Sequence, residues 1–172
     1  GMKPVRLLAV VGTLYALAGC VPSLHPFYTD EDVLFDPALV GVWMEKEPGE
    51  NWTFTQSGDQ TYKLVYTDGE GKKGEFVAHL FSIDGNRFLD LSPAPLSLQE
   101  NDFYKVHFLP VHTVMWVAEV KGTLRMSYLD PDWVKKFLAE NPTAINHERG
   151  HEGVVFTDTS KRLQAFLLAH FK

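Results

Sequence analysis

From Leu39 to Leu129 the chain alternates apolar and polar residues in short runs, most of them ended by glycine, proline, aspartate or asparagine. Alternation with a period of two puts successive side chains on opposite faces, so such runs predict half-buried β-strands. Eight segments fit: Leu39–Lys46, Asn51–Gln56, Thr61–Thr67, Gly74–Ile83, Arg87–Leu91, Asp102–Leu109, Val111–Val120 and Thr123–Leu129. Asp84-Gly85 predicts a tight hairpin, because both central positions of that turn take positive φ. Lys121-Gly122 predicts another tight turn. Pro110 has no N–H to give to a ladder and marks a bend between the sixth and seventh segments. The short spacing predicts that neighbours in sequence pair in space, which gives an eight-stranded antiparallel up-and-down barrel. A β-sandwich with appended helices has the same periodicity and stays open as an alternative.

After Leu129 the period changes. Asp130-Pro131 predicts a helix start, a cap followed by proline in the first turn. Trp133, Val134, Phe137 and Leu138 then form one apolar stripe, which Asn141-Pro142 ends. A short strand is predicted at Gly153, and a second C-terminal helix over Ser160 to Phe171, capped by Asp158 or Thr159.

The first residues follow another pattern. Lys3 and Arg6 precede an apolar run from Leu7 to Leu17, then small residues and Cys20. This is the layout of a secretory signal peptide, and the run is too short for a comfortable bilayer crossing. Gly1, ahead of Met2, is set aside as an expression scar. Leu17-Ala18-Gly19-Cys20 resembles the lipobox of bacterial lipoproteins. That resemblance implies cleavage before Cys20 and acylation of the cysteine, with two or three chains holding the protein stably at a membrane. Cys20 is the single cysteine of the chain. The expected division is therefore signal peptide 1–19, lipidated tether 20–38 and one domain 39–172. In enterobacterial lipoproteins an aspartate after the cysteine favours the inner membrane. Val21 stands there, which implies the outer membrane of a Gram-negative cell, facing the periplasm.

Taking away residues 1–19 removes Lys3 and Arg6 from 16 basic residues and none from 22 acidic ones, so the remainder is more acidic than the whole chain at −6. An acidic balance without a basic cluster argues against nucleic acid as a partner. The sequence has no nucleophile elbow, phosphate-binding loop or dinucleotide glycine pattern, so neither an enzyme nor a cofactor is expected.

The first of the eight meandering strands carries Gly41-Val42-Trp43, and a helix and a short strand follow the eighth. This order resembles the lipocalins, or the broader calycin group, over roughly Leu39 to Thr157. The resemblance implies that Trp43 packs across the closed end of the barrel and that Arg125, by position, stacks over its ring, a cation–π pair. The sequence departs from that family at Leu109-Pro110-Val111-His112-Thr113, where a T-D-x-x-Y pattern is common, and in its final helix.

An eight-stranded interior either fills with side chains or holds one small ligand. The ligand reading expects a small apolar molecule such as a fatty acid against Trp43 and Phe54, with Tyr62, His79 and Arg125 orienting its head. The filled reading makes the barrel an interaction module with a protein partner the sequence does not name. Histidine chemistry, metal or haem, is a third reading through His107 and His112, while His147 to Glu152 reads as a solvated loop and no metal site is expected there. The acids Asp84, Asp90, Glu100, Asp102 and Glu119 read as solubilising charges on turns and strand faces.

Overall fold

The structure, a computed structural model, describes residues 20–45, 49–150 and 153–171, and residues 6–10 as a backbone strand. It is mostly β, a nearly closed antiparallel barrel with three short helices. The strands are β1 (Arg6–Val10), β2 (Val33–Leu34), β3 (Gly41–Met44), β4 (Asn51–Gln56), β5 (Tyr62–Thr67), β6 (Lys73–Ile83), β7 (Asn86–Pro93), β8 (Thr113–Lys121) and β9 (Thr123–Ser127), with a separate hairpin of β10 (His147–Gly150) and β11 (Gly153–Phe156). The helices are α1 (Asp102–Lys105), α2 (Pro131–Glu140) and α3 (Ser160–His170).

Strands β3 to β9 form a meander in which each pairs antiparallel with the next. The turns follow the local chemistry. Asp84 and Gly85 take φ of 49° and 72°, the left-handed pair that the tight hairpin requires. Gly122 takes φ 69° between β8 and β9. A meander of seven strands leaves its first and last members pointing the same way. Accordingly β1 lies parallel to both, pairing Arg6 with Trp43 on one side and Leu7 to Val10 with Thr123 to Met126 on the other.

The sixth expected strand, Asp102–Leu109, is not a strand. The Asn101 side chain accepts the Tyr104 N–H at 3.0 Å and starts the one-turn helix α1, and backbone bonds from Val106, His107 and Phe108 continue the turn. Those local bonds satisfy the backbone without a neighbouring strand. The position left open in the ring is taken by Arg6–Val10. The loop expected at His147 supplies β10, which pairs with β11 from His147–Phe156 to Gly150–Gly153.

The seam at β1 gives a direct prediction. A chain beginning at Cys20 leaves the backbone groups of β3 and β9 that face β1 without their partners. Hydrogen exchange over Gly41–Met44 and Thr123–Ser127 is expected to be at least about tenfold faster than in the full chain, with β5 and β6 unchanged. Equal exchange in the two chains would mean that β3 and β9 pair with each other once β1 is gone.

Two cores lie on either side of the β6–β8 wall. The inner one joins Leu39, Trp43, Phe54, Tyr62, Leu64, Leu80, Leu89 and Leu124, all fully buried. The outer one packs Phe81, Phe88 and Val114 against Val134 and Leu138 of α2, Phe156 of β11, and Leu163, Phe166 and Leu167 of α3. Residues 20–38 belong to this architecture. Val21 and Phe27 are buried in the outer core, and β2 pairs Val33 and Leu34 with Phe81 and Leu80. Asp36 caps the 3-10 turn Pro37–Leu39 and meets Arg87 at 2.8 Å.

Candidate functional site

The expected inner residues are present as packed core. Trp43 donates its Nε1–H to the Leu39 carbonyl at 2.9 Å. Tyr62 accepts the Asp36 N–H at 2.7 Å and donates its hydroxyl hydrogen to the Asp36 carbonyl at 3.0 Å. Phe54 meets the Tyr62 ring edge-on at 6.3 Å. All three are fully buried. The Tyr62 hydroxyl is spent on the chain's own backbone and does not orient a ligand head in this arrangement.

His79 and Arg125 lie elsewhere. In β9, Leu124 and Met126 point into the inner core, so alternation turns Arg125 outward. There it pairs with Glu119 at 2.6 Å and is largely exposed, away from the face on which Trp43 sits. His79 lies between the buried Ala78 and Leu80 and faces the outside of the wall, where its ring sits 4.4 Å from that of Tyr28.

That outer face carries a polar node. Asp90 is fully buried mid-strand in β7, where it is the register partner of His79 in β6. Its Oδ2 accepts the Phe27 N–H at 2.9 Å, and its Oδ1 meets His112 Nδ1 at 2.7 Å. His112 in turn exchanges backbone hydrogen bonds with Ser23, both at 2.8 Å. Asp90 is therefore not a solubilising charge. It fixes residues 23–27 to the barrel wall, because a buried carboxylate without such partners is strongly destabilising. The carboxylate–imidazole pair has the orientation found in hydrolytic triads. The buried Ser23 hydroxyl accepts the His25 N–H at 3.2 Å.

His79 Nδ1 is buried and has no hydrogen-bond partner among the described residues. Burial holds the His79 imidazole below its ordinary pKa, and the neighbouring His112 adds to this while Asp90 and Asp30 oppose it. The folded chain thus refuses a proton that the unfolded chain accepts. Stability is expected to fall as pH drops below about 6.5, until the folded state also protonates. Burial lowers the His170 pKa as well. The fall in Tm from about pH 7 to about pH 5.5 should therefore shrink, without vanishing, in His79→Phe. An unchanged fall would remove His79 from the account.

The structure also has a cleft, outside the barrel. It measures about 280 Å³ and lies between the start of β8, the end of β9, the start of α2 and the end of α3. Phe88, Val114, Trp116, Tyr128, Trp133 and Phe171 line it, with Ser127, Asp130 and His170 as polar groups. The Phe171 ring meets Phe88 and Trp116 edge-on, each at 5.3 Å. Trp133 stacks on Phe137 at 5.0 Å and keeps part of its ring exposed. Burial pushes the Tyr128 hydroxyl pKa upward, and Cys20 and Asp130 add to it. Cys20 itself is half-buried, and burial pushes its thiol pKa up.

Several of these residues had weak signals in the sequence. Asp90 sits in "FLDLS", one carboxylate inside an apolar strand, and that position asks for a buried partner. The cleft has no such signal, because Trp116 and Phe171 meet only when α3 docks on β8. Among the described residues no group of three or more His, Cys, Asp or Glu is placed to hold a metal ion. His107 is exposed and bonds the Phe103 carbonyl through Nδ1 at 2.8 Å. Compared with family models, curated proteins and solved structures, the chain matches none.

Proposed function

We propose that this is a non-enzymatic lipoprotein of the Gram-negative cell envelope, lipocalin-like in fold, anchored through Cys20 in the outer membrane and facing the periplasm. Its ligand is a small apolar group, such as an acyl chain, taken in the outer cleft and not inside the barrel. One observation carries this reading: Trp116, Trp133, Phe171 and Tyr128 form an apolar cleft of about 280 Å³ outside a barrel filled by its own side chains. Apolar burial supplies the affinity, at roughly 25 cal/mol per Å² removed from water. Ser127, Asp130 and His170 are the polar groups within reach of a head. The volume is near the lower end for small-molecule sites, which run from about 300 to about 1,000 Å³. It suits a single chain better than a bulky ring system.

Native mass spectrometry of protein gently extracted from host membranes tests the ligand. A co-purified apolar molecule that is lost in Trp116→Ala and kept in Phe54→Leu is the expected result. Bare protein would favour the second reading, an interaction module with a filled barrel. That reading draws on the fully buried Trp43, Phe54 and Tyr62.

A further inference from the structure

The connection between β7 and β8, residues 94–112, exposes large apolar side chains that no described residue covers. Phe103 is 79% exposed, Leu109 73%, Val106 68%, and Tyr104 and Phe108 about half. The segment is nevertheless structured. Asn101 caps α1, the Phe103 ring meets His107 at 5.2 Å, and the Tyr104 ring meets Phe108 at 5.1 Å. Apolar side chains held out on an ordered turn cost solubility and mark a contact surface.

The fold says which surface meets them. The segment leaves from Pro93 and returns at Thr113, so it caps the rim formed by the end of β7 and the start of β8. Trp116 pairs with Ser127, so the end of β9 and Tyr128 lie toward the same rim. Ser23 is bridged to His112, three residues beyond Leu109, and Cys20 stands three residues before Ser23. Cys20 is thus tied to the base of this apolar turn, and Leu24, also exposed, lies next to the bridge.

We infer that residues 103–109 form a membrane-inserting tip, which sinks into the interfacial layer of the bilayer that holds Cys20. The inference rests on the anchoring read from Cys20, which brings this rim to the lipid surface. Phe103, Val106 and Leu109 enter the acyl boundary, and Tyr104 places an amphipathic ring at headgroup level. Lys105, 3.4 Å from Asp102, lies between them within reach of a lipid phosphate. Two contacts, acyl chains and tip, fix the tilt of the barrel and hold the cleft beside the membrane.

The test uses the protein extracted from host membranes, reconstituted by detergent removal into phosphatidylcholine vesicles that carry brominated acyl chains. Phe103→Trp and Leu109→Trp each add an indole to the tip, and Asp59→Trp adds one to the turn between β4 and β5 at the opposite rim. The difference from the unsubstituted chain reports the added ring. The indoles at 103 and 109 should shift to the blue and lose most of their emission, while that at 59 is unaffected. Quenching at 103 and 109 no greater than at 59 would overturn the inference. So would a blue shift that grows with protein concentration in the absence of lipid, which would assign the tip to a second copy. The intact mass of protein from host membranes separates the two readings. Acylated Cys20 with an unquenched tip sinks the tip alone, and a bare thiol with a quenched tip sinks the anchor alone.

Discussion

Trp43→Ala is expected to lower the free energy of unfolding by about 3–5 kcal/mol, the range for removing a buried large aromatic ring. The ring is fully buried and cross-strand from Trp52, and it packs among residues of β4, β8 and β9 in the inner core. Truncation leaves a void among side chains that are themselves fully enclosed. It also leaves the Leu39 carbonyl without the indole N–H it accepts. Urea unfolding followed by circular dichroism measures the loss, with an unchanged m-value showing that the unfolded state is the same. Arg125→Ala is the informative partner experiment. A guanidinium stacked over Trp43 would make it costly, whereas an exposed pair with Glu119 contributes about 0–1 kcal/mol. The structure predicts the small value, and a loss comparable with that of Trp43→Ala would restore the stacked arrangement.

Asp90→Ala is the second large effect, expected at about 2–4 kcal/mol. Two groups lose their acceptor together, the Phe27 N–H and the His112 imidazole. Phe27 is almost fully buried, so water does not readily replace the lost bond. The loss should also be local. Residues 21–28 are held to the wall by this carboxylate and by the Ser23–His112 bridge, so the Phe27 amide should exchange faster while β4 and β5 stay protected. Asp90→Asn, which keeps one acceptor oxygen, should lose less than Asp90→Ala. If alanine were tolerated without loss and Phe27 stayed protected, Asp90 would be only a surface charge.

Most of the meander was legible in the sequence because alternation, hairpin chemistry and spacing agree there. Asp84-Gly85 and Lys121-Gly122 turn where expected, and Asp130-Pro131 starts α2. Asp102–Leu109 misled because Tyr104, Val106 and Phe108 alternate with Lys105 and His107 as a strand would, while Asn101 favours a one-turn helix. Asn101, which decides between them, acts through a side-chain bond rather than a period. The inner residues Trp43, Phe54 and Tyr62 were legible as core but not as filled core, since packing density leaves no trace in a pattern. Arg125 was placed by position within a family layout. Its own strand alternation, with Leu124 and Met126 on either side, already pointed it outward. The cleft was illegible, because it is made by docking α3 against β8 and β9, contacts between segments far apart in the sequence.

The four tryptophans divide between the barrel and the cleft, and that division tests the central claim directly. Trp43 and Trp52 belong to the inner core, and Trp116 and Trp133 line the cleft. Titrating decanoate into protein with nitrogen-15-labelled indoles should shift the Trp116 and Trp133 N–H resonances and leave those of Trp43 and Trp52 in place. Shifts at Trp43 and Trp52, or at none of the four, would contradict a cleft that binds apolar chains outside a filled barrel.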